Sequence, residues 1–186
     1  VRIRNASGSS FDVRVDPAGG SAPGSMDVHY MVVEEGVYTF AQDGVNMEAV
    51  KYTSTLTDEN NSWVGQARTY SNSYTSPVVF GQVMTYNDSD FSVFWCSDGN
   101  SNNPPSSSSL YTGKMVGEDP DNTRADETIG YIVIESGSGT LSGVNYVTAL
   151  GADNVQGFTD SPPYSYSFSG LSSASACIVT QAAMDG

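Results

Sequence analysis

Apolar residues in this chain come in short bursts that alternate with polar ones, and helical periodicity is almost absent. The bursts are rich in Val, Ile, Tyr, Phe and Thr and are separated by Gly, Ser, Asn, Asp and Pro, the pattern of strands joined by turns. It predicts strands near 1–5, 11–16, 28–35, 46–54, 78–86, 91–96, 110–116, 128–135, 145–150 and 176–183, with weaker ones near 64–70 and 164–168. With no helices available for crossovers, the expected architecture is all-β, built from antiparallel β-sandwich units. In Val28–Glu34 and Ile129–Glu135 both alternating faces are largely apolar, so each is expected to be a central strand covered on both sides. Phe11–Val15 alternates apolar with charged residues, and one of its faces should meet water.

Those two doubly apolar segments are also copies of each other. Tyr30, Val32, Glu34 and Gly36 match Tyr131, Val133, Glu135 and Gly137 at an offset of 101 (131 − 30). Gly44-Val45-Asn46 recurs as Gly143-Val144-Asn145 at an offset of 99 (143 − 44), and Val79–Gln82 has a looser echo in Ile178–Gln181 at the same offset. Three echoes in one order imply a tandem repeat. The repeat divides the chain into a back half-unit over 1–42, a complete sandwich unit over 43–140 and a front half-unit over 141–186. About two units are expected, either with one permuted or with one completed by a neighbouring molecule. Isolated sheet halves leave unpaired edges, so residues 1–42 are expected to pair with 141–186 or with another molecule.

Charge narrows the range of partners. Seven basic against 21 acidic residues give a net charge of −14, which excludes nucleic acid as a partner because its binding relies on Lys and Arg neutralising phosphates. Such acidity serves first for solubility, as in extracellular proteins and proteins of salty water, and second for divalent cations. No apolar run approaches the roughly 20 residues that a membrane-spanning helix needs, so no membrane insertion is expected. Scarce Lys with abundant Ser, Thr, Asn, Gly and Tyr suits a secreted β-protein. Cys96 and Cys177 leave two readings open, a single bridge or two buried thiols.

The chemistry-bearing residues gather in loops. Glu118, Asp119, Asp121, Asn122 and Asp126 lie in one acidic run that could supply oxygen ligands to Ca2+. The spacing is not that of a helix–loop–helix calcium site, and a solvated acidic loop is the first reading. Residues 97–109 are too rich in Pro, Ser and Asn to enter a strand interior and should form a loop at one end of a sandwich. Sugar rings stack on aromatic faces while amides and hydroxyls bind their oxygens. Trp63 and Tyr74, beside polar loops, are therefore the expected exposed aromatics, with Asn100, Asn102 and Asn103 as polar partners. An enzyme is hard to assemble. His29 is the only histidine, it falls in a strand expected to be buried, and no serine sits in a nucleophile-elbow motif.

Thr75-Ser76-Pro77-Val78-Val79-Phe80-Gly81-Gln82-Val83, Phe91-Ser92-Val93-Phe94-Trp95 and Ile129-Gly130-Tyr131-Ile132-Val133-Ile134-Glu135 together resemble the H-type lectin module. Residues 1–36 are similar to the back half of that module, and the Tyr-Ile-Val-Ile-Glu stretch resembles repeats of large secreted proteins of marine bacteria. The resemblance implies a small antiparallel sandwich that self-associates and binds galactose-type sugars near subunit boundaries. The 97–109 and 118–127 loops depart from that family. The resulting expectation is a non-catalytic, extracellular, lectin-like module that binds a polysaccharide or cell-surface glycan and self-associates through sandwich edges. The alternative is a structural repeat of an extracellular filament or adhesin stalk.

Overall fold

The computed structural model of the chain describes residues 1–15, 24–59, 62, 65–155 and 163–184. The elements are β1 (Arg2–Ser7), β2 (Ser10–Arg14), β3 (Gly36–Tyr38), a one-turn helix α1 (Phe40–Asp43), β4 (Met47–Ser54), β5 (Thr57–Asp58), β6 (Gln66–Arg68), β7 (Pro77–Val83), β8 (Val93–Ser97), β9 (Leu110–Met115), β10 (Glu127–Glu135), β11 (Gly137–Leu141) and β12 (Val144–Thr148). The fold is all-β and sandwich-like, as the alternation predicts.

Its centre is β10. This nine-residue strand pairs antiparallel with β4 on one side and with β7 on the other, and β3 extends the sheet beyond β4. Ile129, Tyr131 and Val133 point to one face, where Val79 and Val83 of β7 join them. Phe94, Cys96 and Leu110 of the second sheet complete this core. In that second sheet β9 lies between β8 on one side and β6 and β5 on the other, with β5 the only parallel partner. The two sheets meet most closely where the Phe94 ring lies on Gly81. A Cβ at position 81 would stand 2.6 Å from that ring and 2.8 Å from the Gly130 carbonyl oxygen, so only glycine lets the layers approach this far.

The opposite face of the β10 sheet is also covered. Val45, Met47 and Ile134 form a second buried cluster, with Val78, Phe80 and Ile132 beside them. Val33, Tyr38, Leu141 and Tyr146, drawn from both flanking parts of the chain, pack over it. This double cover explains why β10 is apolar on both faces.

Two hairpins flank the sandwich. β11 and β12 turn through Ser142-Gly143, both with positive φ (50° and 82°), a two-residue turn that matches strand twist. The β1–β2 hairpin is fastened to the core chiefly through Arg2, and the Gln82 side chain donates to the Val1 carbonyl beside it. The buried Arg2 guanidinium lies 2.5 Å from a Glu127 carboxylate oxygen and donates to the carbonyls of Thr85, Asp88 and Asp90. Arg2 and Arg14 also stack on the Tyr86 ring at 4.7 and 4.3 Å.

Three sequence expectations are corrected. Residues 24–34 form no strand; Tyr30 and Val32, expected to be buried, are 70% and 71% exposed, and His29 is exposed with them. The segments expected as strands near 164–168 and 176–183 likewise form no strand. The common reason is that alternation offers a face but does not supply the neighbouring strand that would cover it. Both cysteines are free thiols; Cys96 is buried, with its pKa raised by burial, while Cys177 is exposed rather than buried.

Candidate functional site

One groove opens beside the end of the central sheet. It is lined by Arg68, Tyr70, Asn72, Ser73 and Tyr74 on one bank and by Ser107 and Ser108 on the other, and encloses about 290 Å³. The first bank follows β6, which ends at Arg68, and the second belongs to the loop between β8 and β9. Antiparallel pairing of β6 with β9 brings the two stretches together although they are distant in sequence.

Its floor is held from beneath by Glu48 of β4. One carboxylate oxygen of this buried residue accepts the amides of Ser71 (2.7 Å) and Asn72 (3.0 Å). The other has no hydrogen-bond partner. Asn72 is further tied down by donating its side-chain amide to the carbonyls of Tyr38 and Met47. The Tyr70 hydroxyl donates to the Ser106 carbonyl at 2.8 Å, which joins the two banks. Tyr70 and Tyr74 meet edge to face with centroids 5.2 Å apart, a favourable aromatic geometry. Burial pushes both tyrosine hydroxyls well above their ordinary pKa, so they stay neutral across the physiological range. Arg68 lies 4.1 Å over the Tyr52 ring and donates through Nε to the Tyr131 hydroxyl. Among the described residues no carboxylate pairs with it. The groove thus combines a guanidinium with phenol, amide and serine hydroxyl groups on a rigid aromatic base.

The sequence-predicted site residues are scattered around this groove. Tyr74 lines it, but it is only 6% exposed and belongs to the core, so the expectation of an exposed platform is corrected. The physical reason is its position over the Val133 end of β10, where its ring fills the space between the sheets. Trp63 lies outside the described residues. Asn100, Asn102 and Asn103 form a polar turn that closes on itself: the Asn103 amide donates to the Asn100 carbonyl and the Asn102 amide to the Asn100 side chain. None of the three lines the groove. Arg68, Asn72, Ser107 and Ser108 were not singled out by the sequence, which holds only a weak signal for them in the Tyr70 and Tyr74 pair set among turn residues.

The acidic run from Glu118 to Glu127 is organised around an arginine. Arg124 donates to the Asp119 carboxylate (2.8 Å) and to the carbonyls of Asp121 (2.6 Å), Thr123 (3.0 Å) and Phe91 (2.9 Å). Asp121 accepts the Thr123 amide, and the Ala125 amide is taken by Asp88. The loop therefore carries its own central cation. Glu118, Asn122 and Asp126 are exposed, and among the described residues no three His, Cys, Asp or Glu side chains converge on a point that could hold a metal. No helix among the described residues is long and apolar enough to cross a membrane.

No family model matches the chain, and no solved structure matches it. The chain is similar to a halomucin of Haloquadratum walsbyi (strain DSM 16790 / HBSQ001), at 33% identity over 150 residues. That stretch is 76% of this chain and 2% of the halomucin, so the chain spans a small fraction of the curated relative it matches.

Proposed function

We propose that this chain is a non-catalytic, extracellular, lectin-like binding module and that the groove between residues 68–74 and 107–108 holds a glycan. The observation that carries the reading is the groove's lining. Two serines, an anchored asparagine, a tyrosine pair and an arginine with no carboxylate partner among the described residues line one concave space. Hydroxyl-rich rings are recognised by such fixed donors and acceptors beside aromatic carbon. A bank pre-positioned by Glu48 and Asn72 would lose little entropy on binding. The acidic, lysine-poor composition and the likeness to a protein named as a mucin support the extracellular setting. A second reading, a structural subunit of a filament, is favoured by the exposed apolar residues of 24–34 and 163–184.

A glycan-array screen of the chain and of Ser107→Trp tests the groove. Ser107 is exposed, so the indole occupies the groove without disturbing the core. The expected result is selective binding by the parent chain and its loss in the variant, with the same melting temperature. Absence of binding by the parent, or equal binding by the variant, contradicts the proposal. Because the acidic loop is closed around Arg124, EDTA should leave binding unchanged.

A further inference from the structure

Two exposed segments of this chain align through the repeat, one closely and one loosely, with two strands that pair with each other inside the complete unit. The offset of 101 carries residues 28–34 onto 129–135, which is β10. The offset of 99 carries 176–182 onto 77–83, which is β7. β10 and β7 are antiparallel neighbours with Ile132 opposite Phe80, Val133 opposite Val79 and Ile134 opposite Val78. Transferred through the repeat, this register sets Met31 opposite Val179, Val32 opposite Ile178 and Val33 opposite Cys177.

Both segments hold apolar residues, yet they carry no ladder among the described residues. Val179 is 85% exposed, and Val28, Tyr30, Val32 and Ile178 are exposed with it. Single exposed apolar residues need no explanation, but two clusters of them on backbone with no ladder among the described residues do. In the transferred register one face would gather Val28, Tyr30 and Val32 with Ile178, matching the buried Ile129, Tyr131, Val133 and Val79.

The segments are kept apart within one chain. Val33 packs on the second cluster, on one face of the central sheet, while Ala182 packs on the first core, on the other face. Hydrogen bonds hold the latter stretch near β8, from the Cys96 thiol to the Gln181 carbonyl and from the Met184 amide to the Ser101 carbonyl.

We infer that residues 28–34 of one copy pair antiparallel with 176–182 of a second copy of this chain, in the β10–β7 register. The inference goes beyond the glycan reading and does not depend on it. Each copy carries both segments, so the contact joins different surfaces of two copies, and it closes into a ring or continues as a chain of copies according to the rotation between them.

The native thiol provides the test. Val33→Cys places a second thiol opposite Cys177, at the separation of directly facing strand residues, which a disulfide can span. Cys96 is buried and stays out of the reaction. With oxidised glutathione, Val33→Cys should give a reducible ladder of dimers and higher oligomers on a non-reducing gel. Val32→Cys, facing the other side, should not, and Val33→Cys combined with Cys177→Ser should not. Sedimentation should show the parent chain gaining mass with concentration while Val179→Lys stays monomeric. A disulfide formed within one chain, an equal ladder from Val32→Cys, no ladder at all, or a parent chain that stays monomeric at every concentration would overturn the inference.

Discussion

Residues 28–36 and 129–137 are near copies, yet 28–34 lie outside any strand and are mostly exposed while 129–135 belong to the central strand of the main sheet. Tyr131 is 3% exposed where its counterpart Tyr30 is 70% exposed. The difference lies in what surrounds them. β10 has β4 and β7 on its two edges and a hydrophobic layer on each face, so its amides and its side chains are satisfied together. Residues 28–34 have similar side chains but no strand beside them among the described residues, and Val33 is the one that packs against the core clusters. A strand is thus a property of a pairing, and the sequence of one partner describes only half of it.

Mutation of matched positions gives the largest expected contrast. Tyr131→Ala should cost about 3–5 kcal/mol of stability, as loss of a buried aromatic does. Tyr30→Ala in dilute protein should stay within about 0.5 kcal/mol, as an exposed position does. Denaturant titration of both variants checks this, and equal losses would mean that 28–34 is folded into its own chain.

Arg2 sharpens the comparison, because it belongs to the same flanking part as Tyr30 yet is buried against Glu127. Arg2→Met leaves that carboxylate uncompensated inside the protein and should cost about 3–5 kcal/mol. The double variant with Glu127→Gln should recover part of the loss, as seen in a thermal melt.

The smallest effect concerns acid. The Asp88 carboxylate accepts the amides of Asp90 and Ala125, which hold its pKa below the usual aspartate value. A depressed carboxylate pKa stabilises the fold fully above the unfolded value of about 3.9 and loses that contribution as pH falls through the folded value. The melting-temperature gap between the parent chain and Asp88→Asn should therefore be flat from neutral pH to about pH 5 and shrink below about pH 4.

Much of the sandwich could be read from alternation alone. The strands expected over 46–54, 78–86, 91–96, 110–116 and 128–135 appear as β4, β7, β8, β9 and β10 with small shifts at their ends. β11 was missed because Gly137-Ser138-Gly139-Thr140 holds no apolar residue to mark a face; it is a strand because β12 turns back onto it. The groove was harder to see for the same reason. Its banks are two polar loops, and only the β6–β9 pairing brings Arg68 near Ser107. The acidic run misled in a different way. Counting carboxylates gives ligands for a cation, but Arg124, within the run itself, already occupies the centre of the loop.

The most direct test of this account is amide hydrogen exchange at two protein concentrations. In dilute solution the amides of residues 129–135 should be strongly protected and those of 28–34 and 176–182 should exchange at close to the free-chain rate. At high concentration protection should rise in 28–34 and 176–182 together and nowhere else to the same degree. Protection of 28–34 already present in dilute protein, or a rise in one segment without the other, would contradict the claim that these two segments are halves of one pairing.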